Sequence, residues 1–217
     1  MKEHLTFIQK RSGFGPTTRA VYALVAAWVI ACGGGLLALA IYSSTPGRDA
    51  IAVRSWPTQS AIERSQTAHT LVLFLHPHCP CSRATVAELA RGLASAPRDT
   101  RVVVSLFCPR NESESWTHSS LQQQAQAIPG VTTCPDFDGE EAKRFGASTS
   151  GHAMLFDKHG LLVFSGGITA ARGHEGDNAG RATVAKLLQT GEPGLRETQV
   201  FGCPISSDCA SAEEKPR

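Results

Sequence analysis

Two cysteines separated by one proline, Cys79-Pro80-Cys81, lie between an apolar run and a helical one. The run Thr70–Leu75 has the length and composition of a buried strand, while Val86, Leu89, Ala90 and Leu93 recur at helical spacing behind it. A thiol at a helix N-terminus feels the positive end of the helix dipole, which favours thiolate over thiol. Proline suits a first helical turn because it has no N–H to leave unpaired there. This stretch therefore places a nucleophilic sulfur at the carboxyl edge of a sheet, with a second sulfur two residues away.

Three chemistries fit these residues. In thiol–disulfide exchange, Cys79 is the nucleophile and Cys81 the resolving thiol. A disulfide between such close neighbours closes a small ring, and departure from preferred geometry makes the bond easier to reduce. A pair strained in this way suits an oxidant or isomerase better than a reductant. In metal binding, Cys79, Cys81 and His152 supply two thiolates and an imidazole, a soft set suited to Cu(I) or Zn. His152 also reads as a hydrogen-bonded residue at a strand end. His76 and His78 are further potential ligands, but alternation along an extended chain puts both on one side and Cys79 on the other. Peroxide reduction by Cys79 is the weakest reading, since position 76 is His where a Thr-x-x-Cys pattern is expected. If every cysteine is structural, the domain is a plain interaction module.

The exchange reading requires no cofactor. Gly33-Gly34-Gly35 lies in an apolar run, and Gly173–Gly180 does not follow a strand directly into a phosphate-binding turn.

The elements that hold the cysteines occupy most of the 217 residues. Lys2, Lys10, Arg11 and Arg19 precede a stretch without charge that lasts until Arg48. Within it, residues 21–42 are apolar and long enough to cross a bilayer, which needs roughly 20 residues. Basic residues before the span predict a cytoplasmic N-terminus, residues 1–20, and a periplasmic or extracellular remainder. A cleavable signal ending near Ala38–Ala40 and a lipobox at Val29–Cys32 are alternative readings, and each still exports the domain. From Arg48 onward the 17 basic and 18 acidic residues nearly cancel, so no basic field for nucleic acid exists. Six cysteines in an exported domain of about 170 residues imply disulfides, redox chemistry or thiolate metal sites.

Residues 43–66 read as a linker leading into a short helix near Thr58–Ser65. After the first strand and helix come a strand over Arg101–Phe107, a helix over Ser115–Ile128 and a short strand over Val131–Cys134. A short helix over Glu140–Phe145 and two strands, His152–Asp157 and Leu161–Gly167, joined as a hairpin, follow. Arg172–Asn178 reads as a solvated loop or a border of the site, Ala179–Thr190 as a helix, and residues 193–217 as an irregular tail. The order predicts an α/β sandwich with a mixed sheet. Cys108 and Cys134 pair if their strands are neighbours, and Cys203 and Cys209 form a local disulfide loop or a second redox pair. Sequence alone does not fix this connectivity.

With cysteines at the first strand–helix turn and a hairpin downstream, the chain resembles the thioredoxin-like superfamily over about Ser65–Thr190. His76-Pro-His-Cys-Pro-Cys-Ser82, Phe164-Ser-Gly-Gly-Ile-Thr169 and Arg172–Asn178 are most similar to membrane-anchored proteins of RedB type. The resemblance implies a three-layer sandwich over residues 67–192, acting on thiols or disulfides of exported proteins. Two departures matter. Ser82 stands at the second position of the usual Cys-x-x-Cys, and Gly151 stands where a cis-proline usually faces the cysteines. The copper-handling branch of the superfamily uses two cysteines in this turn and a histidine from a later hairpin, near His152 here.

Overall fold

The structure is a computed structural model that describes residues 16–48, 51–112, 116, 119–192 and 194–205. The basic N-terminal stretch, the start of the helix expected from Ser115, Cys209 and the chain's last residues lie outside these. The chain divides into two units, Met1–Tyr42 and Ser43–Arg217.

The described part of the first unit is helical. Helix α1 spans Pro16–Ser44, and the most apolar 18-residue window within its 28 residues from Thr17 has a mean hydropathy of 2.3 and no buried residue. At 1.5 Å per residue those 28 residues span about 42 Å, longer than a hydrocarbon core of roughly 30 Å. The helix is long and apolar enough for a membrane span, a property that signal sequences share.

The second unit is built on a five-stranded sheet. In chain order it contains β1 (Thr70–Leu75), α2 (Ser82–Leu93), β2 (Arg101–Cys108), α3 (Ser120–Gln126) and β3 (Val131–Phe137). There follow α4 (Glu140–Phe145), β4 (His152–Phe156), β5 (Leu162–Gly167) and α5 (Ala179–Thr190). The sheet order is β3-β2-β1-β4-β5, with β1, β2 and β3 parallel and the β4–β5 hairpin antiparallel to β1. The expected mixed-sheet, three-layer thioredoxin-like sandwich is what forms.

Alternation along the central strand makes two cores. Leu71, Leu73 and Leu75 point toward α2, α3 and α5, joining Val86, Leu89, Leu121, Val184 and Leu187. Val72 and Phe74 point the other way, toward Phe145 of α4, Met154 and Phe156. All six β1 residues are buried. Each large apolar side chain buried in this way contributes about 1.5–3 kcal/mol. That is what makes β1 a rigid base for the turn that follows it.

Three expectations need correction. Residues 51–66 are not a free linker and contain no helix. Trp56 meets Phe145 and Phe156 edge-on at 5.0 Å each, Ile62 is buried, and Ser60 Oγ (2.6 Å) and Ala61 N–H (3.1 Å) donate to the Glu141 carboxylate. A few apolar residues in a polar segment suffice to dock it. The third strand runs on to Phe137 through Pro135, which β3 accommodates as an edge strand. Finally, Cys108 and Cys134 do lie on neighbouring strands but do not face each other. Cys134 is opposite Ser105, and Cys108 is opposite Phe137. Three residues of offset is about 10 Å, beyond the reach of a disulfide.

Candidate active site

The carboxyl end of β1 turns sharply into α2. Cys79 N–H donates to His76 O (3.1 Å), Ser82 N–H to Cys79 O (3.0 Å) and Thr85 N–H to Cys81 O (3.3 Å). Cys81 occupies the N-cap of α2. Ser82 and Ser150, both buried, brace this turn from behind. Their hydroxyls are 2.9 Å apart, Ser82 Oγ lies 3.2 Å from His76 O, and His76 N–H donates to Ser150 Oγ (2.8 Å). Ser82 thus has a framework role where a second cysteine usually stands. Next to it, Gly151 has φ of +98° and its N–H donates to Phe74 O at 2.8 Å. A Cβ there would sit 3.3 Å from Thr85 Oγ1 on α2.

A third cysteine completes the site. The segment Phe201–Ile205 lies along Ser148–Ser150, with Ser150 N–H donating to Cys203 O (2.7 Å) and Ile205 N–H to Ser148 O (3.0 Å). Phe201 and Ile205 are buried on either side of it. A Cβ on Gly202 would fall 1.9 Å from Ser150 O, so only glycine permits this approach. The docking brings Cys203 against Cys79: both its thiol and its backbone N–H donate to the Cys79 sulfur. Cys203 was legible only as a partner for Cys209. The missed signal was apolar Phe201 and Ile205 flanking Gly-Cys-Pro in an otherwise polar tail.

Arg172 stands over the same sulfurs. It makes a side-chain hydrogen bond to Cys81 and exerts a favourable charge effect on Cys81 and Cys203. Its own position is set by hydrogen bonds to Gly202 O and Thr45 O (3.1 Å). The loop that carries it is tied down through Glu88, a fully buried carboxylate on α2. Glu88 accepts from Gly176 N–H (2.9 Å) and Asn178 Nδ2 (3.2 Å), and pairs with Arg91 and with Arg181 (2.7 Å). Both readings of Arg172–Asn178 hold in part: Arg172 borders the site, while Gly173, His174, Glu175 and Asp177 are exposed as a solvated loop.

The donors decide which sulfur ionises. Hydrogen bonding from the Cys203 thiol, opposed by burial and helped by the Cys203 and Cys81 N–H groups and the Ser82 hydroxyl, lowers the Cys79 pKa to about 5. Burial, followed by the neighbouring Cys79 charge, raises Cys81. Donation to Cys79 is the main reason that Cys203 is raised. At neutral pH the cluster is therefore one thiolate, two thiols and a guanidinium.

Cys79 opens onto a cleft of about 550 Å³ lined by Pro77, His78, Pro80, Arg83, Trp116 and Ser119. His78 packs on Trp116 at 4.2 Å, His76 stacks on Phe107 at 5.1 Å, and Trp116 Nε1 donates to Phe107 O at 3.2 Å. The expectation that His78 and Cys79 face opposite ways fails because residues 77–81 are turns rather than extended chain. Burial lowers the His76 pKa, partly offset by the Cys79 charge.

His152 does not join the cysteines. Strand alternation puts Gly151 on the α2 side of β4 and His152 on the other, the side of Met154 and Phe156. There its Nε2 bonds Ser165 Oγ at 2.7 Å, beside a separate cleft of about 790 Å³, and burial lowers its pKa to about 4. The metal set Cys79, Cys81 and His152 is thus not assembled, and no group of three His, Cys, Asp or Glu side chains among the described residues, the three site cysteines included, is placed to hold a metal ion.

No protein-family model matches the sequence, and no curated protein matches it. Solved structures do match. An uncharacterized conserved protein from Geobacillus kaustophilus is 20% identical with a TM-score of 0.53, over 75% of this chain and 92% of that one. A hypothetical protein from Sinorhizobium meliloti 1021 is 19% identical with a TM-score of 0.51, over 75% and 97%. A secreted Mycobacterium tuberculosis disulfide oxidoreductase matches more loosely, at 15% identity and a TM-score of 0.36 over 45% of this chain and 67% of that one. Identities this low speak to fold alone. By its strand order, its helix placement and the cysteine turn after β1, the chain has the thioredoxin-like fold.

Proposed function

We propose that the chain is a membrane-anchored, extracytoplasmic thiol–disulfide exchange protein of RedB-like character, acting through Cys79 on thiols or disulfides of exported proteins. The observation that carries this reading is the position of Cys79 at the edge of an aromatic-lined cleft, where donors from Cys203, Cys81 and Ser82 lower its pKa to about 5. Cys79 is itself only 4% exposed, so a disulfide must enter the cleft to meet it. The thiolate attacks one sulfur of that disulfide, forming a mixed disulfide and expelling the other sulfur as thiolate. A second thiol of the site then attacks the Cys79 sulfur, releasing the substrate's remaining thiolate. The substrate is reduced by two electrons and the site is oxidised by two; the reverse sequence oxidises a substrate dithiol. Helix α1, with basic residues before it, supports anchoring over residues 21–42 with the domain outside the cytoplasm.

The test is single-turnover reaction of the reduced protein with a small aromatic disulfide at pH 6, followed by peptide mass mapping. The reading expects the first adduct on Cys79 and no reaction of that kind in Cys79→Ser. Adducts spread evenly over the cysteines, unchanged in Cys79→Ser, would sink it.

A further inference from the structure

We propose that Cys203 is the resolving thiol of this site, so that its oxidised form carries a Cys79–Cys203 bond joining the C-terminal segment to the cysteine turn. The inference rests on the exchange reading and names the second sulfur it uses. Ser150 joins the two segments, its N–H donating to Cys203 O (2.7 Å) and its hydroxyl lying 2.9 Å from Ser82 Oγ in the cysteine turn, and hydrogen bonding from Cys203 is the largest cause of the lowered Cys79 pKa. Cys203 is held there by the Ser150–Cys203 and Ser148–Ile205 backbone bonds, and Gly202 permits the close approach.

Cys81 also touches Cys79, but the two are joined through Pro80, whose ring fixes φ. Cys81 is also the N-cap of α2, with helical φ of −70° and ψ of −23°, and its carbonyl is bonded to Thr85 N–H. Closing a bond to Cys79 from there requires distorting both the proline turn and the helix start. Cys203 reaches Cys79 from a separate segment, which can shift toward it without strain on α2.

Once substrate is bound to Cys79 as a mixed disulfide, the hydrogen bond from Cys203 to that sulfur is lost, and with it the main reason its proton is held. Arg172 then favours the Cys203 thiolate. That thiolate attacks Cys79 Sγ, the Cys79–Cys203 bond forms, and the substrate sulfur departs as thiolate and takes up the released proton. Two protein thiols become one disulfide while one substrate disulfide becomes two thiols. Cys81, raised by burial and by the Cys79 charge, remains a thiol that donates to the site.

The experiment treats the reduced full-length protein in detergent with 5,5′-dithiobis(2-nitrobenzoate) at pH 6. Aromatic thiolate release is followed in time, and the products are then mapped by mass spectrometry. The wild type is expected to release one thiolate on forming the Cys79 adduct and a second on resolving it, leaving a peptide pair linked through Cys79 and Cys203. Cys203→Ser is expected to keep the first release and slow the second by at least about tenfold, trapping the adduct, whereas Cys81→Ser still resolves to the Cys79–Cys203 pair. Formation of the adduct in each variant shows that it has folded. An adduct that persists in Cys81→Ser and resolves in Cys203→Ser overturns this proposal while leaving exchange intact, as does a Cys203–Cys209 bond in the oxidised wild type. Absence of any Cys79 adduct in the wild type overturns the exchange reading itself.

Discussion

Cys79 and Cys108 each leave a central parallel strand at the same edge of the sheet, each precedes a proline, and they are 4% and 3% exposed. Their protons nevertheless behave oppositely. Cys79 is pulled down to about 5, while burial, followed by the charges of Asp138 and Glu112, pushes Cys108 up. Cys134, one strand further out, is pushed to about 11, again mainly by burial. Burial alone raises a thiol, because it disfavours the charged form. What distinguishes Cys79 is the set of N–H, S–H and O–H groups converging on its sulfur from Cys203, Cys81 and Ser82. Reactivity here is a property of arranged donors, half of them from one tail segment, rather than of position on the sheet.

The strongest way to break that contrast is to exchange the two sulfurs' fates by mutation. Cys79→Ser should reduce single-turnover exchange with an aromatic disulfide by more than about a hundredfold, whereas Cys108→Ala should leave it within about twofold. Comparable rates in the two variants would show that the donors around Cys79 confer nothing. Next in size is Glu88→Ala, which removes the buried carboxylate that ties the Arg172 loop to α2. Its arginine partners are partly exposed, so urea denaturation should show a loss of about 2 kcal/mol, below the usual range for breaking a fully buried pair.

Alkylation as a function of pH sharpens the comparison further. With pKa values of about 5 and 11, Cys79 is almost wholly thiolate at pH 7 and Cys134 is so at about one part in ten thousand. The more basic sulfur is the better nucleophile, which returns about 2.7 of those four powers of ten. Cys79 should therefore lead by about twentyfold at pH 7. Its rate should be flat above about pH 6 and fall as pH drops through 5, while the Cys134 rate climbs about tenfold per pH unit up to its own pKa. A Cys79 profile that keeps rising to pH 9 would place its thiol among the ordinary ones. The smallest effect belongs to His152→Ala. With its ring bonded to Ser165 on the opposite side of β4, exchange should stay within about twofold of wild type. A loss of activity there would put His152 in the site after all.

Much of this molecule was readable in order along the chain. The buried strand Thr70–Leu75, the helix behind the cysteines, the hairpin around Gly160 and the last helix came from apolar periodicity and turn residues, which are local signals. The packed segment at 51–66 was not readable. Trp56 and Ile62 are isolated apolar residues without a period, and their partners Phe145 and Phe156 lie far along the chain. Cys203 escaped for the same reason: proximity in sequence suggested Cys209, and nothing local points from residue 203 to residue 79.

The sequence by itself determined the apolar α1, the order of elements from β1 onward and the placing of Cys79 and Cys81 in the turn after β1, because each is encoded in neighbouring residues. Only the tertiary structure decided which groups lower the Cys79 pKa, which third cysteine and which arginine stand beside it, and that His152 faces away. The physical reason is range. Periodicity and turn chemistry act between neighbours, whereas the hydrogen bonds that set a thiol's pKa come from whichever segments the fold brings within a few ångströms of it.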